Sequence, residues 1–454
     1  MWQRFSSNAL ANLLTGTSSI ALQLGLTALA TRTFDKATFA VWTLALSMAS
    51  LTPLFAMNLS AVVTRQLVGS MASKSSTPLS LIMASARRIG RGLAALAVAV
   101  IMLAALALWK TSPELSTTSI GVFAATVLLL TVGQLWQVGL QATFGWHYAH
   151  ERNWTVAAIL LVVRIAALTS MWVGAHQAGG NLLAVAFLLA AGHWAGVALV
   201  RLRFVPPAAA SALPDPALKR HISETIELLR WFGVWSVAMA IIQFGLPPLI
   251  SVLGAAHYNA FYLAYTLNLV LTGIVGALGS AMMVPVTRMG LSADPSAIVR
   301  SLTLMPVLIS VAILVLLTSL LWSVPFFVDH WSHGVARPSD VSDYLFLLGL
   351  QTIARSLSVV FGIVLASRAT GVWLVGPTLL EIAVAVFVAM PLGWYFGERV
   401  FLLTLAAAGL LTSMALGVVA SRLSNLDRTN RVRVIGRFFF IEIASLIAWW
   451  ILGR

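Results

Sequence analysis

The chain has 454 residues, of which 59% are hydrophobic and only 9% charged, with a mean hydropathy of +0.93; a water-soluble domain carries roughly a quarter of its residues as charge, so a soluble enzyme is excluded. The lack of cysteine also excludes disulfide frameworks, thiolate metal sites and cysteine nucleophiles. The net charge of +14 is scattered over short segments between apolar runs instead of forming one stripe, a pattern of membrane topology and not of nucleic-acid binding.

A spanning helix needs about 20 mostly apolar residues. Such runs fall near 8–31, 37–64, 92–109, 118–144, 154–174 and 182–200, and again near 231–253, 259–285, 301–321, 343–366, 372–396 and 400–421. They predict an all-α polytopic membrane protein of about twelve transmembrane helices in two six-helix lobes. The expected bounds are 1–205 for the first lobe, 206–230 for a linker, 231–421 for the second lobe, and 422–454 for a basic tail with a short hydrophobic helix. The linker holds Pro206, Pro207, Pro214 and Pro216, and its polar stretch from Lys219 to Glu227 is expected as a surface helix.

Most of the lysines and arginines fall in loops on one side of this arrangement, which orients the N-terminus toward the cytoplasm. Ala28-Leu29-Ala30 has the form of a signal-peptidase site, yet the run before it is long and carries Asn12, Thr15, Ser19 and Gln23, so the first helix is expected to be retained. The final run, Phe438 to Gly453, is short for a span and follows Arg431, Arg433 and Arg437; a span and an interfacial helix both remain open for it.

The two halves repeat. Gln23-Leu-Gly25-Leu26 matches Gln243-Phe-Gly245-Leu246, and Thr43-Leu44 with Val63-Thr64-Arg65 matches Thr266-Leu267 with Val286-Thr287-Arg288. Gln134 and Phe144-Gly145 match Gln351 and Phe361-Gly362, while Trp154 and Met171 match Trp373 and Met390. An even number of spans per half relates the lobes by an axis along the membrane normal, with a cavity expected between them.

Charges inside spans are costly and mark sites. Arg164, Arg355 and Glu381 fall midway along the fifth, tenth and eleventh spans. Arg355 and Glu381, on consecutive spans, could neutralise each other; Arg164 suits an anionic ligand, because guanidinium grips phosphate bidentately at every physiological pH. Asn8, Asn12, Thr15, Ser19 and Gln23 share one face of the first span. Gln134, Gln137 and Gln141 form a stripe in the fourth, and Gln351, Arg355 and Ser358 another in the tenth; cavity lining and interhelical hydrogen bonding both remain open for these stripes. Tyr258, Tyr262, Tyr265 and Asn268 line the eighth, where Tyr258 is expected in the interfacial belt. His147-x-x-His150 and His330-x-x-His333 lack a suitably placed carboxylate, so no metal site is expected, nor is any catalytic residue or nucleotide-binding loop.

The opening Ser6-Ser7-Asn8-Ala9-Leu10-Ala11-Asn12, the join Thr33-Phe34-Asp35-Lys36-Ala37-Thr38-Phe39-Ala40-Val41-Trp42, and Asn58-Leu59-Ser60-Ala61-Val62-Val63-Thr64-Arg65 resemble the polysaccharide transporter branch of the multidrug, oligosaccharidyl-lipid and polysaccharide (MOP) exporter superfamily, which includes bacterial O-antigen flippases. Family joins carry glycine where Ala40 stands. The resemblance implies a MATE-like fold and an inner-membrane flippase that moves a polyprenyl-pyrophosphate-linked oligosaccharide from the cytoplasmic to the periplasmic leaflet by alternating access. In that scheme Arg164, Arg355, Asn12, Thr15, Ser19, Gln23, Gln134, Gln351, Tyr262 and Asn268 bind substrate and Glu381 gates or couples. No organic cofactor is implied; the driving ion would be a proton or sodium, and partners would be the lipid-linked oligosaccharide, the bilayer and other polysaccharide-assembly proteins. A multidrug or cation antiporter of the same superfamily is the alternative, and a polytopic O-antigen ligase or polymerase a more distant one.

Overall fold

The computed structural model describes residues 2–56, 58–73, 78–204, 215–254, 257–273, 295–332, 334–367, 372–423 and 428–452. Every regular element among them is helical: α1 (Trp2–Thr33), α2 (Lys36–Ala49), α3 (Leu59–Ser73), α4 (Leu79–Thr111), α5 (Ile120–Gln134), α6 (Trp136–Gly139), α7 (Gln141–Ala149), α8 (Asn153–Gln177), α9 (Leu182–Phe204), α10 (Asp215–Phe244) and α11 (Leu246–Val252). There follow α12 (258–273), α13 (Pro295–Trp331), α14 (Pro338–Ser367), α15 (Val372–Val384), α16 (Met390–Phe396), α17 (Glu398–Leu423) and α18 (Arg428–Leu452). Nine stretches among the described residues are long and apolar enough to cross a bilayer, and the chain is an all-α, multi-pass membrane protein.

Two expectations from the sequence change. The polar stretch Lys219–Glu227 is no separate surface helix: α10 starts at Asp215 and runs unbroken to Phe244, because Pro216 sits in the first turn, where its missing N–H costs nothing. Ion pairing of Arg220 with Glu224 at 3.1 Å supports that polar turn, and Gln66 donates to Thr225 at 3.0 Å. The terminal run is not short either, since Val432–Leu452 provides 21 residues of spanning helix within α18.

The packing divides the chain into two compact units, residues 1–31 with 253–454, and residues 32–252. These bounds differ from the sequence halves in three helices: α1 belongs with the later residues, and α10 and α11 with the earlier ones. Thr31 Oγ1 donates to the carbonyl of Trp331 at 2.8 Å, and Ile20 lies against Gly273.

In the 32–252 unit, α8 and α9 pack closely because Gly192 and Gly196 of α9 leave room for Ser170, Ala166 and Val163; a Cβ on Gly196 would stand 2.7 Å from the backbone of Val163. Small residues at such spacing let helix backbones approach in lipid. A second core joins Leu59, Val63 and Leu67 of α3 to Ile82 and Ala86 of α4 and Leu229 of α10. In the other unit, α13, α14, α17 and α18 pack through Ile309, Ile313, Leu317, Leu350, Ile353, Ala406 and Trp449.

The second span is broken. After α2 come a short 3-10 turn at Thr52–Ala56 and Asn58 at φ 57° before α3. Pro53 cannot donate to the carbonyl of Ala49, and Thr52 Oγ1 donates there instead at 2.6 Å, so the backbone stays satisfied at a depth without water. The fourth span bends at Leu135, where Trp194 Nε1 of α9 donates to the Val132 carbonyl at 3.0 Å.

The join between α1 and α2 is a helix cap. Asp35 accepts from the Thr38 N–H at 2.7 Å, and Phe34 stacks at 5.4 Å on Trp42. Hydrogen bonds from the Thr38 backbone and side chain hold the Asp35 carboxyl below the usual carboxylate range. A depressed carboxylate stabilises the fold above its ordinary pKa and loses that contribution as pH falls through its folded value. Asp35→Ala is expected to cost about 1 kcal/mol at neutral pH, a difference from wild type that vanishes on acidification in thermal unfolding of the detergent-solubilised protein.

Candidate functional site

The predicted site residues divide between the two units. Arg164 and Gln134 lie in the 32–252 unit; Thr15, Ser19, Gln23, Tyr262, Asn268, Gln351, Arg355 and Glu381 lie in the other. The side chains of Asn8 and Asn12 lie outside the described set.

In the 32–252 unit the glutamines of the stripe bond to one another and, through Gln141, to α3. Gln137 donates to Gln134 Oε1 at 3.3 Å, Gln141 donates to the Gln137 carbonyl at 2.8 Å, and Gln141 Oε1 accepts from the Ser60 N–H at 3.3 Å. Ser60 opens α3, whose first N–H groups have no intrahelical acceptor, so Gln141 caps a helix that starts inside the membrane. Arg164 lies half-buried midway along α8, within electrostatic reach of Tyr148 and His193.

The other unit gathers the richer cluster. Arg355 in the middle of α14 reaches Glu381 of α15, with Nε 2.9 Å from Oε1 and the carboxylate side chain 1% exposed. The contact is a charge pair whose N–H does not align with the acceptor. A third helix makes it possible: a Cβ on Gly409 of α17 would stand 2.6 Å from Arg355 Cγ and 3.7 Å from Glu381 Oε1, so the arginine crosses α17 where that helix has no side chain. Thr412, one turn along α17, donates to the Pro377 carbonyl of α15 at 3.3 Å. Past Glu381, α15 loosens into a π turn at Ala385–Ala389, a local underwinding common near functional residues.

Nearer the start of α14 stand neutral polar and aromatic groups. Thr352 donates to Asn268 Oδ1 at 2.8 Å, and Gln23 of α1 reaches the Tyr262 hydroxyl at 3.5 Å. Gln351 is buried, and its Nε2 has no hydrogen-bond partner among the described residues. Tyr262 stacks near Tyr258 and Tyr265 at 6.5 and 6.1 Å, and Phe261 meets Tyr344 edge-on at 5.6 Å. Tyr258 is 3% exposed, so it belongs to this aromatic interior and not to an interfacial belt.

The α1 stripe is less concerted than its spacing predicts. Thr15 Oγ1 donates back to the Ala11 carbonyl at 3.0 Å, Ser19 is exposed, and Gln23 is half-buried. Two polar residues escape the sequence argument. Thr352 is hidden by its commonness, whereas Glu442, the lone acid of the final apolar run, is fully buried in α18 and carried a legible signal.

Removing one partner of a buried ion pair strands the other charge, whereas replacing both is nearly neutral. Arg355→Met is therefore expected to destabilise by about 3–5 kcal/mol, and Arg355→Met with Glu381→Leu to recover most of that loss, measured by thermal unfolding with chromatographic monodispersity as the folding control.

No protein-family model matches the chain, and no curated protein matches it. Solved structures do match it over nearly the whole length. A eukaryotic MATE transporter, AtDTX14, is 14% identical across 95% of this chain and 98% of its own, with a TM-score of 0.69. The Vibrio cholerae MATE transporter VcmN is 13% identical across 96% and 98%, with a TM-score of 0.63. A MOP superfamily transporter from Pyrococcus furiosus, described as having a binding pocket of reverse polarity, is 10% identical across 93% and 95%, also at 0.63. At these identities the likeness is one of fold: the chain has the architecture of MATE-type transporters of the MOP superfamily.

Proposed function

We propose that the chain is a secondary exporter of amphipathic organic cations and related compounds, exchanging them for protons. The observation that carries this reading is the engagement of Arg355 by Glu381 at 2.9 Å. An anion-gripping site needs the guanidinium fork presented to the ligand, and here its charge faces a carboxylate. The polar and aromatic groups nearer the start of α14 are neutral: Tyr262, Tyr265, Asn268 and Gln351, whose Nε2 has no hydrogen-bond partner among the described residues. Aromatic faces attract organic cations, more strongly when desolvated, and the fold shared with MATE transporters supports the same assignment.

The pair also supplies a coupling device. With Glu381 ionised, the pair is neutral overall and a cation can settle on the tyrosines. With Glu381 protonated, Arg355 keeps an uncompensated positive charge that disfavours a cation in the same unit. Proton and cation then exclude one another, which is the logic of antiport. Flippase activity on a lipid-linked oligosaccharide is the second reading; it keeps the half-buried Arg164 of α8 and the resemblance of the joining segments. In both readings the protein sits in the bacterial inner membrane with its N-terminus in the cytoplasm, as the loop charges direct.

In proteoliposomes with an imposed proton gradient, wild type is expected to expel tetraphenylphosphonium or ethidium and Glu381→Gln to lose at least about tenfold in rate, roughly 1.4 kcal/mol of barrier. Translocation of a fluorescent polyprenyl-pyrophosphate oligosaccharide with no movement of either cation would replace this reading by the flippase. Orientation has its own test, because a cysteine-free chain is a ready background for labelling. In intact spheroplasts an impermeant maleimide is expected to modify Lys36→Cys and to spare Glu151→Cys, both sites being exposed; the reverse pattern would invert the topology.

A further inference from the structure

The final helix carries a group that the transport scheme above leaves unused. Val434, Phe438, Glu442, Ser445 and Trp449 are all buried and follow at spacings of four, four, three and four, so they form one face of α18. The opposite face, with Phe440, Ile443, Ile447 and Ile451, is exposed. Trp449 anchors the buried face by donating to the Phe346 carbonyl of α14 at 3.0 Å and packing on Gly349. Glu442 is 0% exposed, stands at the middle of the spanning stretch Val432–Leu452, and neither carboxyl oxygen has a hydrogen-bond partner among the described residues.

The charged and titratable groups on the helices packed against α18 lie elsewhere along their lengths. On α13 they are Arg300 near its start and Asp329 and His330 near its end. On α14, Asp340, Asp343 and Tyr344 stand in the first turns, and Arg355 is turned through the Gly409 gap toward Glu381. On α17 they are Glu398, Arg399 and Arg422 at its two ends, and α18 itself has Arg428, Arg431, Arg433 and Arg437 before Glu442. The polar group that α13 brings to this core is Ser310, buried beside Ile309 and Ile313 with its hydroxyl unpartnered among the described residues. A carboxylate so placed would be a bare charge in apolar packing, which proteins avoid by neutralising the group; acids in that position within membranes mark proton-binding sites.

We propose that Glu442 is an intramembrane proton-binding site: it holds its proton while α18 is packed on α13, α14 and α17, and gives it up only when that face opens. The site is separate from the Arg355–Glu381 pair and does not depend on which compound the protein carries. Its counterpart in the membrane is the proton alone, since a fully buried carboxyl leaves no room for a larger ligand.

Infrared spectra of the full-length protein in lipid test this without any substrate. At neutral pH wild type is expected to show the carbonyl stretch of a protonated carboxylic acid, shifted in heavy water. The band should be absent from Glu442→Gln and present in Glu381→Gln. Because glutamine mimics a neutral acid in size and polarity, Glu442→Gln is also expected to unfold at the wild-type temperature. A wild-type spectrum lacking the band, or a band of equal size in wild type and Glu442→Gln, would overturn the proposal. So would marked destabilisation by Glu442→Gln matched by Glu442→Leu, since that is the behaviour of a paired, ionised carboxylate.

Discussion

A polypeptide in hydrocarbon has no water to take up its loose N–H and C=O groups, so every place where a helix breaks must bring its own partner. Three breaks in the 32–252 unit obey this rule by different means. Thr52 serves the carbonyl that Pro53 leaves idle, Trp194 reaches from α9 to the bend after Val132, and Gln141 supplies an acceptor to the first turn of α3. The kinks are therefore built by side chains as much as by prolines, and Gln141 of the fourth-span stripe serves one of them.

The same constraint, applied to charge in place of backbone, shapes the other unit. Arg355 and Glu381 each would be prohibitive alone at mid-membrane; together they are tolerable, and Gly409 is the space that lets them meet across α17. The aromatic and amide groups around α12 are neutral and gather toward the start of α14.

Hydropathy alone located nine stretches fit to cross a bilayer among the described residues, because an apolar run of spanning length has few other fates in a membrane protein; the eighth predicted span, 259–285, lies outside those residues from 274 on. It was poorer at telling what polar residues do. The match between Gln134 and Gln351 is plain in the sequence, yet Gln134 bonds to its neighbour Gln137 while Gln351 Nε2 has no partner among the described residues. Spacing put Thr15, Ser19 and Gln23 on one face of α1 but could not show that the Thr15 hydroxyl turns back to its own helix. The Arg355–Glu381 pairing was one of two outcomes the sequence left open, since only the gap at Gly409 decides it. Glu442 went unweighed because the run holding it looked short for a span and was left open between a span and an interfacial helix, where an acid has no reason to be buried.

The grouping of α1 with residues 253–454 bears on how the protein is made. The first helix enters the membrane early in synthesis, while the surfaces it will pack against, Tyr262 of α12 and Trp331 at the end of α13, have yet to leave the ribosome. Until then its polar face of Thr15, Ser19 and Gln23 stands in lipid without its native neighbours, and α2 to α11 can assemble beside it into a unit that does not include it. A segment inserted before its partners is thus locked in place only after they emerge, so this unit cannot assemble in strict chain order.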